Sequence, residues 1–211
     1  GVRDPSKLTL PGVEATIQLD VTRAEDVAAA ASRCTDVTLL INNAGIAAVG
    51  GFLSAGSIES ARAQLETNFF GPLRLSQAFA PVLAAHGGGA ILNVLSVASW
   101  INAPMLAMYG ASKSAAWALT NGLRHELRAP GTQVLGMHVG FVDTDLTRGI
   151  DLPKSSPELI VRRTLDALEA GAEEVLADER ARQIKHGLSA EPGVYLLDPS
   201  AGAPVAPAAG R

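Results

Sequence analysis

Hydrophobic and polar positions along the 211-residue chain follow two alternating patterns. One is a short continuous apolar run, which is typical of a strand buried on both faces, and the other repeats apolar residues every three or four positions, as amphipathic helices do. The runs predict strands at 14–19, 37–41, 90–95, 133–139 and 173–177. The helical pattern predicts helices at 22–33, 58–86, 109–128 and 157–170.

This strand–helix alternation predicts the fold class: an α/β protein with a doubly wound parallel sheet and helices on both faces, in three αβα layers. A single domain is expected over residues 1–196. Residues 197–211 are rich in Pro, Ala and Gly, which predicts a disordered tail. In open sheets of this kind, ligands bind beyond the carboxyl ends of the strands.

Composition and charge narrow the function classes. The net charge is −4 and the sequence has no Lys/Arg cluster, which argues against a nucleic-acid or anionic-membrane surface. Two uncharged runs, 37–58 and 87–112, are long enough to span a bilayer, but each contains Asn and several Gly, so we expect no membrane span. The single cysteine, Cys34, and the absence of an apolar stretch in residues 1–8 favour a cytoplasmic location.

Polar residues follow the predicted strands at the point where each strand ends. Residues 42–45 follow one strand, Ser96 follows the next, and residues 140–144 follow the third. Tyr109 and Lys113 open the helix after Ser96, four residues apart and therefore on one helical face. Such a pair alone is more often packing than chemistry, but at this edge of the sheet it can share a pocket with Ser96.

Four segments in this order, "LINNAGIA", "ETNFFG", "NVLSVAS" and "YGASKSA", resemble the short-chain dehydrogenase/reductase family. Asn68 lies 28 residues before Ser96, Ser96 lies 13 before Tyr109, and Lys113 lies four after Tyr109, which are the family's usual spacings. The resemblance implies a Rossmann-type sheet and an oxidoreductase that interconverts a small-molecule carbonyl and a secondary alcohol with a nicotinamide cofactor. It also implies a homodimer or homotetramer, formed through the two long helices.

The resemblance implies four catalytic residues. Tyr109 would be the general acid/base, Lys113 would hold the nicotinamide ribose, and Ser96 would donate a hydrogen bond to the substrate oxygen. Asn68 would hold a water in a proton relay, or would merely satisfy a kink in a buried helix. A lysine ammonium about 5 Å from the phenol contributes on the order of 3 kcal/mol, so we expect Lys113 to lower the pKa of Tyr109 by roughly two units.

The same resemblance implies a set of cofactor contacts. Tyr109 and Lys113 belong to this set as well, and residues Asn42, Ala44 and Gly45 would line the adenosine side. Asp20 would contact the adenine, or would instead cap the turn before Thr22.

Two further cofactor contacts lie in the turn after strand 133–139. Val142 and Thr144 would approach the nicotinamide there, although Val139 replaces the family's usual proline. Arg3 resembles the basic residue that NADP-preferring members present to the 2′-phosphate, so NADP(H) is expected and NAD(H) is the alternative cofactor. The four histidines lack ligand spacing, so no metal site is expected.

The chain departs from the family pattern at its start. No glycine-rich pyrophosphate-binding turn occurs before Asp20, so we expect the family's first two strands to be absent, leaving a fragment that binds cofactor weakly. A catalytically silent truncated paralogue that acts in oligomerisation or interaction is the alternative function. A sugar-nucleotide epimerase also uses a Tyr–x–x–x–Lys pair, but the short C-terminal segment counts against it.

The substrate itself is not predicted. Residues 145–156 are expected to form a substrate lid. Four apolar residues either line the pocket or belong to the core: Trp100, Ile101, Met105 and Leu106.

Overall fold

The computed structural model describes residues 1–7, 12, 13 and 15–197. Four strands form one parallel sheet in chain order: β1 (Leu39–Asn42), β2 (Gly89–Val94), β3 (Thr132–His138) and β4 (Glu174–Leu176). The helices are α1 (Ala24–Arg33), α2 (Ser57–Leu65), α3 (Gly71–Ala85), α4 (Ala107–Glu126), α5 (Pro157–Glu169) and α6 (Glu179–Gly187). All four strands were predicted at these places within two residues, and the parallel α/β class is confirmed.

The sheet lies between two helical layers. Leu40, Ile91 and Val134 are register partners on β1, β2 and β3, and they pack into a core with α1, α3 and α4. On the opposite face, Leu92 and Leu135 pack with α5. This double coverage explains the continuous apolar runs, because successive strand residues point to opposite faces and both faces are buried.

β1 is an edge strand among the described residues, with β2 as its partner. Ile41 points to the α5 side of the sheet and remains 47% exposed there, whereas its register partner Leu92 is 4% exposed.

The strand predicted at 14–19 is not formed by its described residues. Residues 15–19 make one isolated parallel bridge, between Val2 and Gln18, with hydrogen bonds from Val2 N to Ile17 O and from Leu19 N to Val2 O. An apolar run becomes a strand only where a neighbouring strand continues the ladder, and here a single residue supplies the pairing. Ile17 and Leu19 nevertheless pack against the α1/α3 core.

The predicted long helix 58–86 is interrupted. A π-helical segment, Glu66–Phe70, separates α2 from α3, and all three follow one another without a break. The extra residue of a π-turn is a local distortion that periodicity does not reveal, and such bulges recur at functional sites.

The last third of the chain contains one confirmed cap and one missed helix. Ser156 Oγ accepts a hydrogen bond from Leu159 N at 3.2 Å and Pro157 begins α5, as the sequence predicts. The short helix α6 was not predicted, although Asp178 caps it. The predicted tail lies outside the described residues apart from Leu197. No helix in the described part is long and apolar enough to cross a membrane.

Candidate active site

A cavity of about 360 Å³ opens at the carboxyl edge of the sheet, where β1, β2 and β3 end. Its wall combines five polar side chains with many apolar ones and two cations. The polar and charged lining residues are Asn43, Ser96, Tyr109, Lys113, Thr144, Thr147 and Arg180. Three of the four predicted catalytic residues therefore meet in one cavity.

Ser96 is held in place by the turn that follows β2. Its Oγ accepts a hydrogen bond from Ala98 N at 3.1 Å, and its own N–H donates to Ser99 Oγ at 3.4 Å, which completes a capping box. Ser99 thus has a structural role in this turn. Because Ser96 Oγ already accepts a bond, its hydroxyl proton remains available to a second partner in the cavity.

Lys113 is a buried cation, only 6% exposed. Its ammonium donates to Val94 O at the end of β2 at 2.8 Å and lies 5.8 Å from the centre of the Tyr109 ring. Burial lowers the pKa of Lys113 from 10.5 to about 8, since no carboxylate compensates the charge within ion-pair distance in the described part of the chain.

The expected lowering of the Tyr109 pKa is wrong for the free protein. Burial raises the pKa of Tyr109, and a hydrogen bond with Ser96 opposes that rise only in part. Desolvation of the buried phenolate is the larger effect on this pKa, and an expectation built on the charge of Lys113 alone leaves it out. Tyr109 is therefore a neutral phenol at neutral pH.

Asn68 lies in the π-helical segment and is 1% exposed. Its carboxamide clamps the loop after β1, because Oδ1 accepts from Ile46 N and Nδ2 donates to Ile46 O, both at 2.9 Å. Nδ2 also donates to Ser112 Oγ at 2.9 Å, and Ser112 Oγ donates to Tyr109 O at 2.8 Å. The structure thus favours the interpretation of Asn68 as a satisfied buried amide that joins the β1 loop to the helix of Tyr109.

Of the three cofactor contacts expected at the end of β1 and in the loop after it, Gly45 lines the cavity, whereas Ala44 is exposed and does not. Asn42 points into the interior, where its Nδ2 donates to Asn93 Oδ1 at 2.7 Å. Asn43 lines the cavity instead. The alternation of a strand places neighbouring side chains on opposite sides, and the sequence does not reveal which asparagine faces the ligand.

The loop after β3 brings Val142 and Thr144 into the cavity wall, as predicted. Ser155 secures this loop, since Asp143 N donates to Ser155 O at 3.0 Å and Ser155 N donates to Phe141 O at 2.8 Å. Val139 replaces the family's proline without disturbing the strand end, where Val97 N donates to Val139 O at 3.0 Å.

Some residues of the expected lid, and two of the four ambiguous apolar residues, line the cavity. Leu146, Thr147 and Ile150 of the expected lid line the cavity, as do Ile101 and Leu106. Trp100 packs in the interior instead, and Met105 is 63% exposed.

Arg3 and Asp20 lie close together but outside the cavity. The Thr22 hydroxyl donates to Asp20 Oδ1 at 2.7 Å and the Thr22 N–H donates to the same oxygen at 2.9 Å. These bonds, opposed by desolvation and aided by the nearby Arg3 and Arg23, hold the pKa of Asp20 below its usual value. Asp20 therefore caps the turn before Thr22, which was the alternative interpretation.

His138 was missed by sequence reasoning. It is fully buried at the end of β3, its Nδ1 lies 3.2 Å from Ser96 O, and its ring stacks on Trp100 with centres 3.8 Å apart. Because a carbonyl only accepts, Nδ1 carries the proton of this bond. Burial lowers the pKa of His138 to about 4, despite the Ser96 carbonyl and Glu174 nearby. No spacing signal marks this residue, since the contact joins two different strands.

Comparison with known proteins agrees with this geometry. A family model described as short chain dehydrogenase matches residues 10–154. "Short-chain dehydrogenase PC-15" of Penicillium crustosum is 36% identical over 178 residues, which cover 82% of this chain and 63% of that protein. The chain spans 46–63% of the first three curated relatives that it matches.

Two solved structures have a similar fold over most of this chain. A short chain dehydrogenase from Burkholderia cenocepacia J2315, solved in complex with NADP, has a TM-score of 0.86 and 41% identity, and the match covers 90% of this chain and 81% of that one. An alcohol dehydrogenase from Thermococcus sibiricus, complexed with 5-hydroxy-NADP, has a TM-score of 0.66 and 27% identity, and the match covers 75% of this chain and 71% of that one.

The parallel sheet with a polar cavity at its carboxyl edge defines an α/β protein of the Rossmann type. With the matching family model and relatives, the chain belongs to the short-chain dehydrogenase family of oxidoreductases.

Proposed function

We propose that this chain carries the catalytic centre of an NADP(H)-dependent oxidoreductase that interconverts a carbonyl and a secondary alcohol. The observation that supports it most directly is the meeting of Ser96, Tyr109 and Lys113 in one cavity at the carboxyl edge of the sheet. The side chains have the residue types that carbonyl reduction needs: a proton donor, a hydrogen-bond donor for the substrate oxygen, and a cation beside them.

In the direction of reduction, Tyr109 donates its phenolic proton to the carbonyl oxygen while the carbonyl carbon is reduced. Its raised pKa suits this direction, because the phenol remains protonated at neutral pH. Ser96 keeps its proton and donates a hydrogen bond to the same oxygen as negative charge develops there, while its Oγ accepts a bond from Ala98 N. In oxidation the two residues act in reverse, with Tyr109 accepting the proton.

The residues around the cavity fit the nicotinamide half of the cofactor, which supplies or accepts a hydride when bound. Lys113 offers ammonium donors to ribose hydroxyls, and Thr144 offers a hydroxyl to the carboxamide. Gly45 leaves space beside the Lys113 ammonium. A Cβ at position 45 would occupy that space, 3.7 Å from Lys113 Nζ and 3.4 Å from Asn68 Oδ1. Asn68 positions this wall through Ile46 and Ser112 and does not act on the substrate.

We further propose that Arg3 contributes to a preference for NADPH over NADH. Arg3 is exposed and lies near enough to Asp20 for its charge to help lower the pKa of that carboxyl, and both residues are expected on the side of the adenosine half. A guanidinium pairs with a 2′-phosphate, whereas a ribose hydroxyl gains little from it. A homodimer or homotetramer and a cytoplasmic location remain predictions.

Calorimetric titration of the chain with NADPH and with NADH tests this proposal. We expect tighter binding of NADPH, and we expect Arg3→Ala to reduce NADPH affinity while leaving NADH affinity nearly unchanged. The matched control is Arg33→Ala, an exposed arginine at the end of α1. Equal affinity for the two cofactors would contradict the role of Arg3, and absence of binding to either would favour the catalytically silent alternative.

A further inference from the structure

The cavity contains one charged side chain that the proposed reaction does not use. Arg180 lines the cavity from the first turn of α6, and the other cation in the lining, Lys113, is bonded to Val94 O. The lining that the described residues form contains no aspartate or glutamate. Arg180, an exposed side chain, is therefore the one cation of this lining that the proposed reaction leaves unused.

The fold holds Arg180 against this wall. Asp178 is buried and uses both carboxylate oxygens, accepting from Ala181 N and from Gly140 N, each at 2.8 Å. These two bonds tie α6 to the loop after β3. Gly140 lets this side chain come close to the backbone, because a Cβ there would lie 2.9 Å from Arg180 Cδ and would displace it. The arginine stem thus runs along bare backbone at the cavity edge.

The guanidinium of Arg180 is oriented but unpaired. Its central carbon lies 5.4 Å from the centre of the Phe141 ring, and Phe141 also lines the cavity. Within residues 15–197 no carboxylate pairs with Arg180, and the adjacent Glu179 is bonded to Arg182 at 3.0 Å. An arginine that rests on an aromatic ring keeps its in-plane N–H groups free, and these match a carboxylate in a two-point bond.

The rest of the cavity limits what such an anion can belong to. The same cavity is lined by aliphatic side chains from the lid and α5, namely Leu146, Ile150, Pro157, Ile160 and Val161. A ligand body that fills this space gains by burying apolar surface. A phosphate would carry close to two charges, and a single guanidinium in an apolar wall matches the single charge of a carboxylate better.

We propose that Arg180 is a specificity residue that binds a carboxylate on an otherwise apolar carbonyl substrate. This inference rests on the proposed function for the identity of the cavity, and it names the class of substrate: an apolar keto acid and the corresponding hydroxy acid. Arg180 takes no part in proton or hydride transfer.

The test compares 4-acetylbenzoate with its methyl ester, which replaces the carboxylate by a neutral group and adds one methyl. Binding of each to the full chain is measured by calorimetry with and without NADP⁺, a combination that allows no turnover of the ketone. We expect the acid to bind about tenfold more tightly than the ester, the ratio that corresponds to about 1.4 kcal/mol. Arg180→Met should abolish this preference and leave the affinity for the ester unchanged.

Arg182→Met is the matched control, because Arg182 lies on the same helix, is paired with Glu179 and does not line the cavity. It should retain the preference for the acid. Equal binding of acid and ester by the wild-type chain, binding of neither, or a preference that survives Arg180→Met would overturn the inference. A loss of NADP⁺ affinity with an unchanged acid preference would also overturn it and assign Arg180 to the cofactor.

Turnover separates this inference from the proposed function. Reduction of the neutral ester with NADPH, combined with no preference for the acid, would refute the carboxylate site and leave the reaction standing. Acid-selective binding that depends on Arg180, combined with no NADPH oxidation, would support the site and refute the reaction.

Discussion

Replacing Lys113 with methionine should make the protein more stable while it abolishes activity. The side chain is 6% exposed, its charge has the single hydrogen bond to Val94 O, and burial lowers its pKa from 10.5 to about 8. Methionine has a similar length and no charge to desolvate. The protein therefore keeps a cation here at a cost to its stability, which is expected of a residue retained for function.

The magnitude follows from the pKa. Because the folded pKa lies below the unfolded one, the unfolded chain binds more protons between pH 8 and 10.5, and wild-type stability rises with pH through that window. At pH 7 the buried ammonium costs about 3 kcal/mol, and at pH 9.5 the cost falls to about 1.5 kcal/mol. Losing the bond to Val94 O costs the variant about 1 kcal/mol. The net gain of Lys113→Met is therefore about 2 kcal/mol at pH 7 and close to zero at pH 9.5.

Equilibrium urea unfolding, followed by tryptophan fluorescence and circular dichroism at both pH values, measures this gain. Lys154→Met is the control, since Lys154 lies in the lid 3.9 Å from Asp143 and should change stability by less than about 1 kcal/mol. A variant that is no more stable than wild type at pH 7 would refute the reasoning. An advantage that stays the same at pH 9.5 would also refute it, because the gain would then arise from packing and not from charge.

Three further predictions concern the same site. Asn68→Ala should lower the free energy of unfolding by about 3 kcal/mol, since it breaks one buried and two partly buried hydrogen bonds at about 1 kcal/mol each. An unchanged midpoint in urea unfolding would contradict this prediction. The folded pKa of His138, about 4, lies below its unfolded value of 6.5, so wild-type stability should fall by about 3 kcal/mol as the pH drops from 6.5 to 4. His138→Asn has an amide that can donate to Ser96 O but does not titrate, so the stability of this variant should not fall in that pH range through residue 138. A fall equal to that of wild type would show that other groups cause the pH dependence. For carbonyl reduction, kcat/KM should decline above about pH 8 as Lys113 loses its proton, and a flat profile to pH 9.5 would show that its charge is not needed.

The sequence predicts the sheet well because its signals are local. Continuous apolar runs mark β1 to β4, and burial of both faces of the sheet is their physical cause. The segment at 15–19 carries the same signal but forms a single bridge, because strand formation depends on a neighbouring strand that a local pattern does not report. The π-helical segment is not predicted for a related reason. It places Asn68 in contact with Ile46, which is 22 residues away in the sequence, and a local pattern does not report such a contact.

At the site, too, local signals are predicted from the sequence and long-range effects are not. The order and spacing of Ser96, Tyr109 and Lys113 predict that they meet, and they line one cavity. Spacing does not reveal which of Asn42 and Asn43 faces that cavity, because a shift of one residue reverses the direction of a strand side chain. Nor does it predict the sign of the Tyr109 pKa shift, which depends on burial by residues distant in the chain.

The central claim is that Tyr109 supplies the proton in carbonyl reduction, and Tyr109→Phe tests it most directly. The measurement is single-turnover oxidation of NADPH in the presence of a carbonyl substrate that the wild-type chain reduces, with NADPH affinity determined in parallel. The account predicts that Tyr109→Phe binds NADPH within about twofold of wild type and reduces the carbonyl about 10²–10⁴-fold more slowly, the usual contribution of a general acid. A variant that binds NADPH and reduces the carbonyl at the wild-type rate would contradict the account.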